Sequence, residues 1–278
     1  MIKVFVATPT TGTIIDLQTY ALRAIEKQYK DKVELVYPKQ CVRRIFHDFA
    51  RNGMVEEFLE SGADVLWFLD SDISPPVNVL DLVTKDLDKW ELAGAPYPVF
   101  MTPPGKKDPA VVYCIYDNAA KGGYAPTDIP RSGKTFVNAV ATGCMFIKRE
   151  VIERIEKPYF NFEFKEDSRE MTIGEDLGFC RKVNELGYQF FVDYSLTCKH
   201  YKNVCLQDVN NYAIEYANNS VMQYDKEVKL KIAVLSDAMK AIRKENAEMK
   251  AKLEARSKLI ISKSLSDVNQ GSSALLRG

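Results

Sequence analysis

Residues 65–76 read VLWFLDSDISPP, an apolar run that changes abruptly into an acidic and then Pro-rich segment. The five residues before Asp70 are all apolar, which is typical of a strand buried on both faces of a parallel sheet. Side chains two positions apart in an extended chain point to one side, so Asp70 and Asp72 can converge while Ser71 turns away. The stretch therefore predicts a central strand that carries two carboxylates to the edge of a sheet.

Strand-like and helix-like segments alternate on both sides of this stretch. Such alternation predicts an α/β fold with a mostly parallel central sheet flanked by helices. The predicted strands are 2–7, 33–37, 63–69, 91–95, 111–116, 144–148 and 188–192. The predicted helices are 16–30, 45–61, 74–89, 149–156 and 175–186. Ser74 is the expected N-cap of the third helix, and Pro75 its first residue. The Pro- and Gly-dense segment 97–134 is expected to be a lid or an acceptor-binding loop.

The chain changes character beyond about residue 206. From 228 to 260, apolar residues alternate spacings of four and three, which predicts a helix with a coiled-coil seam. Asn246 falls at a core position, where a buried Asn favours a parallel two-stranded coil, so we expect a homodimer. One amphipathic helix packed on its own domain is the alternative. The predicted organisation is a domain at 1–205, a helical extension at 206–261 and a disordered tail at 262–278.

Composition limits the class of partners and the compartment. Lys plus Arg and Asp plus Glu both number 38, and this balance argues against a dominant nucleic-acid-binding surface. The six cysteines form no C-x-x-C pair and are expected to be reduced; Cys198, His200 and Cys205 lack the spacing of an ordinary zinc motif. A strand is predicted almost from the first residue, and no apolar run approaches the roughly 20 residues of a membrane span. We therefore expect a cytoplasmic protein without a signal peptide or a transmembrane segment.

The two aspartates of the opening stretch are candidate metal ligands. Convergent carboxylates repel each other unless a cation lies between them, and Mg²⁺ and Mn²⁺ prefer oxygen ligands. Open parallel sheets bind ligands at the carboxyl ends of their strands, which is where Asp70 and Asp72 are predicted to lie. A turn followed by a helix cap, which Asp and Ser also favour, is the structural alternative.

A second acidic pair, Glu175 and Asp176, follows Gly174 at the start of a predicted helix. The helix dipole stabilises acidic residues in the first turn, so capping alone can explain them. His200 is one of two histidines in the chain. A neutral imidazole can bind a metal or contact a phosphate, and a purely structural histidine is the alternative.

Taken together and in order, these residues resemble glycosyltransferases of the GT-A fold, most of all family 2-like bacterial and phage members. The matching segments are Ala7-Thr8-Pro9-Thr10, Ala50-Arg51-Asn52, the D-x-D-like Asp70-Ser71-Asp72, residues 141–147, Gly174-Glu175-Asp176 with Phe179-Cys180, and residues 188–194 followed by His200. The resemblance covers roughly residues 1–205. It implies a GT-A, Rossmann-like fold and transfer of a sugar from a UDP- or GDP-linked donor to a hydroxyl acceptor. The acceptor is a glycan, a protein, a lipid-linked sugar or a modified DNA base, and the neutral charge disfavours DNA.

The resemblance also implies roles for individual residues. Mn²⁺ or Mg²⁺ is expected on Asp70, Asp72 and His200, where it neutralises the diphosphate leaving group. In an inverting enzyme Asp176 is the base, with Glu175 as acceptor ligand or substitute base; in a retaining enzyme Asp176 loses that role. The expected nucleotide-sugar-binding residues are Thr8, Pro9, Thr10, Arg51, Asn52, Asp70 and Ser71. The expected acceptor-side residues are Tyr97 and Gly143. The candidates for a diphosphate contact are Arg131, Lys134 and Lys202.

Two other functions fit parts of the sequence. A nucleotidyltransferase also combines a parallel sheet with a metal-binding acid pair. It is expected to carry a Gly-rich, basic loop after its first strand, whereas residues 8–13 contain no Lys or Arg. A coiled-coil scaffold with an inactive glycosyltransferase-like head is the non-enzymatic alternative. Metal-dependent binding of a nucleoside diphosphate distinguishes an active enzyme from this scaffold.

Overall fold

The computed structural model describes residues 1–10, 14–39, 46–101, 110–118, 123–126, 133–166 and 171–202, and scattered helical residues between 236 and 250. The chain divides into two compact units, Met1–Lys202 and Asn203–Gly278. Of the helices in the described ranges, none is long and apolar enough to cross a lipid bilayer. Most of the coiled-coil seam expected at 228–260 lies outside the described residues, so the coiled coil stays a prediction.

The first unit consists of strands and helices that alternate along most of its length. Its described strands are β1 (Ile2–Ala7), β2 (Val33–Val36), β3 (Val65–Leu69), β4 (Ile73–Ser74), β5 (Leu92–Gly94), β6 (Pro98–Met101), β7 (Ala110–Tyr113), β8 (Ile115–Asn118), β9 (Tyr124–Pro126), β10 (Lys134–Val137), β11 (Ala139–Val140), β12 (Cys144–Lys148), β13 (Glu163–Phe164), β14 (Met171–Ile173), β15 (Phe190–Asp193) and β16 (Lys199–His200). Its described helices are α1 (Asp16–Tyr29), α2 (His47–Ser61), α3 (Asp81–Thr84), α4 (Arg149–Ile152) and α5 (Glu175–Glu185), with 3₁₀ turns at Leu87–Lys89 and Tyr194–Leu196.

A seven-stranded sheet in the order β10-β15-β5-β12-β3-β1-β2 forms the centre of this unit. Strand β3 pairs in parallel with β1, and β1 pairs in parallel with β2. Strand β12 is antiparallel to both β3 and β5, and β10 is antiparallel to β15, which itself is parallel to β5. Five of the seven strands therefore run in one direction, and the prediction of an α/β fold with a mostly parallel sheet is confirmed.

Two apolar layers cover the two faces of the sheet, and β3 contributes to both. Leu66 and Phe68 pack in the layer that contains the α2 residue Phe58. Trp67 and Leu69 pack in the opposite layer, together with residues of α1 and α3. All five residues of β3 are buried, so the unbroken apolar run predicted a strand covered on both faces correctly.

The helix predicted from Ser74 to Lys89 is wrong. Ile73 and Ser74 instead form β4, which pairs antiparallel with β16, with His200 opposite Ile73. The helix begins only at Asp81 and ends at Thr84. Two consecutive prolines explain the delay, because a proline disfavours the helical conformation of the residue before it, and here that residue is the expected first helical position, Pro75.

The other predicted bounds differ from the observed ones by at most two residues for most elements, and two further segments differ by more. Helix α4 ends at Ile152 rather than at 156. The segment 97–134 contains β6 to β9 rather than the one strand expected at 111–116. Its β6 and β7 pair with each other, and β8 joins β9 and β11 in a three-stranded sheet. Whether this segment is a lid or an acceptor loop stays a prediction.

Candidate active site

The turn after β3 carries both aspartates of the D-x-D-like motif, and a buried glutamine holds this turn. The N–H of Ile73 donates to the carbonyl oxygen of Asp70 at 3.0 Å, which closes the turn. The side-chain amide of Gln18, on α1, donates to the carbonyl oxygens of Asp70 and Ile73 at 2.6 and 2.9 Å. The carbonyl oxygen of Ser71 accepts from the N–H of Ile15 at 3.1 Å. The start of α1 therefore fixes the backbone from which both carboxylates project.

Asp72 is paired with His200 and Lys202, which lie at the end of the described part of the first unit. Its Oδ2 atom lies 3.3 Å from Nε2 of His200 and 2.5 Å from Nζ of Lys202. Nδ1 of His200 contacts the carbonyl oxygen of Pro98 at 2.8 Å, which fixes the ring. Burial raises the pKa of Asp72, but the hydrogen bonds from His200 and Lys202 outweigh it and lower that pKa to about 2. Asp72 is thus a carboxylate at any physiological pH.

The pairing of β4 with β16 brings these residues together. Besides the strand register, the N–H of Tyr201 donates to the carbonyl oxygen of Asp72 at 2.9 Å. The edge of the Tyr97 ring packs on the His200 ring, with the ring centroids 5.3 Å apart. The contact between the D-x-D-like motif and the histidine 128 positions later is therefore held by backbone as well as by side chains.

Arg51 joins the two acidic motifs. Its side chain is buried on α2, with Nη1 3.2 Å from Oδ1 of Asp70 and Nε 3.3 Å from Oε1 of Glu175. Burial lowers the pKa of Arg51, but the carboxylates of Asp70, Glu175 and Asp176 raise it above its ordinary value. A buried guanidinium with these neighbours is always charged, so it compensates the carboxylates on both of its sides.

Glu175 and Asp176 occupy the first turn of α5, as predicted from the sequence. Glu175 is buried against Arg51, and its Oε1 also lies 3.8 Å from Nδ1 of the exposed His47. Asp176 accepts a hydrogen bond from the N–H of Leu177 at 2.8 Å. Burial raises the pKa of Asp176 to about 6, the neighbouring Glu175 adds to the rise, and Arg51 opposes it. Asp176 is thus an acid whose pKa lies close to neutrality.

Tyr97 and Gly143, the expected acceptor-side residues, lie beneath the aspartate turn. The N–H of Gly143 donates to the Tyr97 hydroxyl oxygen at 3.2 Å, and its carbonyl oxygen accepts from the N–H of Asp70 at 3.1 Å. A Cβ atom at Gly143 would lie 2.5 Å from Cζ of Tyr97, so only glycine fits here. Tyr97 is 6% exposed. This packing gives both residues a supporting role, and their contact with an acceptor stays a prediction.

Three of the expected nucleotide-binding residues, Thr8, Pro9 and Thr10, follow the first strand. Thr8 and Thr10 line a cavity of about 400 Å³ beside α1. Other residues that line it include Gln18, Arg23, Tyr37 and Pro38. Pro9, between the threonines, is buried.

Asn52 is engaged elsewhere. Its side-chain amide donates to the carbonyl oxygen of Phe160 at 2.7 Å and accepts from the N–H of the same residue at 3.1 Å. It also donates to the carbonyl oxygen of Asp48 at 2.8 Å. Asn52 therefore ties α2 to the chain before α5 in this structure, and its role in nucleotide binding stays a prediction.

The part played by Gln18 was not predicted from the sequence. A signal was present, because Gln18, Ile25 and Tyr29 recur at helical spacing and form the buried face of α1. A polar side chain on an otherwise apolar helix face indicates a buried hydrogen-bonding task. The three basic residues expected to contact a diphosphate differ in their surroundings. Lys202 pairs with Asp72, Lys134 pairs with Asp86, and Arg131 falls outside the described residues.

A three-ligand metal cluster is not formed among the side chains that the structure describes. Within that part of the chain, no three His, Cys, Asp or Glu residues gather closely enough to hold an ion. Asp72 and His200 are in contact, whereas Asp70 turns to Arg51. The described cysteines 114, 144, 180 and 198 are free and buried, and Cys41 and Cys205 lie outside the described ranges.

Comparison with known proteins yields matches in structure only. No protein-family model matches the chain, and no curated protein sequence matches it significantly. A197 from STIV is 20% identical, with a TM-score of 0.48, over 73% of this chain and 87% of that one. GalNAc-T7 with UDP, GalNAc and Mn²⁺ is 13% identical, with a TM-score of 0.42, over 73% of this chain and 44% of that one. TarS 1–349 from S. aureus with UDP-GlcNAc is 10% identical, with a TM-score of 0.39, over 73% of this chain and 60% of that one. Glycosyltransferases are among the solved structures that resemble this chain.

Proposed function

We propose that the chain transfers a sugar from a nucleotide-diphosphate sugar to a hydroxyl acceptor. The observation that carries the proposal is the meeting of the two acidic motifs on Arg51, across the 105 positions from Asp70 to Glu175. Sugar transfer needs both a place for a leaving diphosphate and a base for the acceptor hydroxyl. The Asp72–His200 pair supports the first requirement, and Asp176 supports the second.

The donor nucleoside is proposed to bind in the cavity lined by Thr8 and Thr10. Its volume of about 400 Å³ lies in the range typical of small-ligand sites. Tyr37 presents an aromatic ring there, and the threonine hydroxyls and Arg23 supply polar groups. Gln18 lines the same cavity and also holds the aspartate turn, so nucleoside and diphosphate sites share one supporting side chain. UDP and GDP are the nucleotides we expect to bind.

The residues at Asp72 fit a divalent ion such as Mn²⁺ or Mg²⁺. A carboxylate oxygen and an imidazole nitrogen 3.3 Å apart can both reach one ion at metal–ligand distances of about 2 Å. The contact of Nδ1 with the Pro98 carbonyl makes that nitrogen a donor, so Nε2, which faces Asp72, is the ring atom proposed to bind the ion after it gives up the proton that it donates to Asp72. Asp70 is the proposed third ligand, and binding there requires it to turn from Arg51. When bound, the ion supplies charge neutralisation for the leaving diphosphate.

Asp176 is the proposed base in an inverting reaction. With a pKa of about 6 it is ionised at neutral pH, yet it is basic enough to take a proton from an acceptor hydroxyl as the new bond forms. Glu175 is held by Arg51, so its proposed role is to orient the acceptor. In a retaining reaction Asp176 has no such task, and the stereochemistry of the product decides between the two.

The C-terminal helix is proposed to join two copies of the chain. The described residues between 236 and 250 are helical, and the seam residues Met239 and Met249 are 55% and 60% exposed. Apolar side chains at seam positions without a covering surface are expected when the partner is another chain. The proposed partner is a second copy, aligned in parallel through Asn246.

Binding of a nucleoside diphosphate tests the proposed function directly. Isothermal titration of UDP and of GDP, in Mn²⁺ and in EDTA, is expected to show binding of one of them in Mn²⁺ only. Asp72→Ala is expected to abolish it, because the carboxylate is a proposed ligand, while Asp88→Asn, an exposed aspartate in a 3₁₀ turn, leaves it unchanged. Absence of binding of both nucleotides to the wild type contradicts the proposal and favours the inactive scaffold. Metal-dependent hydrolysis of nucleotide sugars then identifies the donor.

A further inference from the structure

The Lys202 side chain donates a hydrogen bond to Oδ2 of Asp72, the oxygen atom that the proposed ion is expected to bind. Its ammonium lies 2.5 Å from Oδ2 of Asp72, and this is the same oxygen that lies 3.3 Å from Nε2 of His200. An ammonium and a divalent ion on one carboxylate oxygen repel each other. The ion can therefore bind this oxygen fully only when the ammonium leaves it.

The backbone holds Lys202 beside the site while its side chain stays free to move. Tyr201, the preceding residue, donates its N–H to the carbonyl oxygen of Asp72, and His200 is paired in β16. The Lys202 side chain is 62% exposed, whereas the His200 side chain is 8% exposed. A lysine on a flexible four-carbon stem can thus exchange one anionic partner for another without a change in the strand.

We propose that Lys202 takes the place of the ion in the donor-free protein and moves to the donor diphosphate when the ion binds. This inference rests on the proposed function and deepens it, because it assigns the diphosphate contact that the sequence leaves open among three basic residues. The Lys202 ammonium would leave Asp72 when a cation is held there, and it would then be within reach of a diphosphate bound beside that carboxylate. Ion and nucleotide therefore bind cooperatively: either one alone binds weakly, because the Lys202–Asp72 pair must be broken for both.

Lys202→Met tests both proposed roles of the ammonium, which are competition with the ion at Asp72 and contact with the donor diphosphate. Methionine keeps most of the aliphatic side chain and loses the charge. Without nucleotide, this variant is expected to bind Mn²⁺ at least threefold more tightly than the wild type, measured by electron paramagnetic resonance of free Mn²⁺. In saturating Mn²⁺, its affinity for UDP or GDP is expected to fall at least tenfold, measured by calorimetry. A residue with only a structural role would not move these two affinities in opposite directions.

Two matched variants serve as controls. Lys199→Met removes a charge from an exposed lysine of the same strand, and it is expected to leave both affinities within twofold of the wild type. Lys202→Arg keeps the charge, and it is expected to restore weak Mn²⁺ binding and most of the nucleotide affinity.

The outcomes for Lys202 and for the proposed function are distinguishable. If Lys202→Met binds Mn²⁺ no more tightly than the wild type, or if neither protein binds Mn²⁺, the exchange is overturned. If wild type and variant differ in Mn²⁺ affinity as expected but neither binds UDP or GDP, the exchange at Asp72 stands and the diphosphate contact and the proposed function both fail. Equal effects of Lys199→Met and Lys202→Met reduce the result to general electrostatics and also overturn the proposal.

Discussion

Arg51 is a buried charged residue whose ion-pair partners come from distant parts of the chain. Arg51 is 4% exposed, and arginine is rarely buried to this extent without carboxylate partners. Its partners come from two motifs far apart in the chain, Asp70 and Glu175. The sequence placed Arg51 among the nucleotide-binding residues, and helical spacing alone gives no information on which acids it contacts. The burial of this charge and the identity of its partners therefore required the three-dimensional structure, and the role of Arg51 in nucleotide binding stays a prediction.

Asp176 yields a prediction at the residue scale with two opposite effects. Its pKa is raised from the usual value near 4 to about 6, so the folded protein binds its proton more tightly than the unfolded chain does. Stability therefore falls as pH rises from about 4 to 6 and stays lower above it. Asp176→Asn removes this penalty and is expected to stabilise the fold at pH 7.5 by about 1–2 kcal/mol, after allowance for solvent screening, while transfer activity is lost.

Urea unfolding at pH 4 and at pH 7.5 measures the first effect, and the two proteins should differ less at pH 4. The wild type is also expected to gain activity as pH rises through about 6. Asp176→Asn with unchanged activity excludes this residue as the base. As a control, Asp117→Asn changes a carboxylate of β8 instead.

At the scale of elements, the carboxyl end of β3 and the start of β12 form the support of the aspartate turn. Gly143 lies just before β12 and contacts both Asp70 and Tyr97 through its backbone. The apolar runs predicted both strands, because a short continuous apolar run bounded by turn residues is typical of a strand buried on two faces. The close approach of Tyr97 to the glycine is a tertiary contact across 46 positions, and local sequence contains no signal for it.

Gly143→Ala tests this support. A methyl group there would lie 2.5 Å from the Tyr97 ring, so we expect a loss of about 1–3 kcal/mol in the free energy of unfolding. Because Gly143 also accepts from the N–H of Asp70, Mn²⁺ affinity is expected to fall as well. Thermal and urea unfolding measure the first effect and calorimetry the second.

A double-mutant cycle with Tyr97→Leu supplies the control. If the ring causes the strain, the second substitution is expected to recover part of the loss, so that the two changes are not additive. Simple additivity of the two losses contradicts this explanation of the glycine.

The wrong helix prediction after β3 has a functional consequence that propensity could not reveal. Capping preferences favoured a helix from Ser74, but Ile73 and Ser74 form a two-residue strand that pairs with β16. The backbone hydrogen bonds that involve His200 and Tyr201 stabilise this strand more than local helix propensity stabilises a helix. That pairing is what places His200 beside Asp72. The order of the motifs could be predicted from the sequence, whereas this pairing between β4 and β16 could not.

At the scale of the whole molecule, the two compact units differ in what the sequence predicts of them. The first unit was predicted from alternating strands and helices, and the structure confirms that architecture. The second was predicted from a heptad seam, which concerns a partner chain and stays a prediction. A fold within one chain can be predicted from local hydrophobic patterns in that chain. An association between chains is indicated only by an apolar helix face, which does not identify the partner.

Light scattering tests the association. The full chain is expected at twice its mass of 31.5 kDa, and removal of residues 225–278 is expected to give a monomer. Asn246→Ile is expected to keep the chain associated but to relax the two-stranded state, because the polar core residue specifies it. A full chain that is monomeric contradicts the coiled-coil dimer, and so does a truncated chain that remains a dimer.

The closing strand β16 has a consequence for protein synthesis. Asp72 emerges from the ribosome 128 positions before His200, which at about 5–20 residues per second is a delay of roughly 6–25 s. During that interval the acidic turn lacks its imidazole and ammonium partners, and α5 with Glu175 also emerges late. A nascent chain therefore carries Asp72 without these two partners until its first unit is nearly complete.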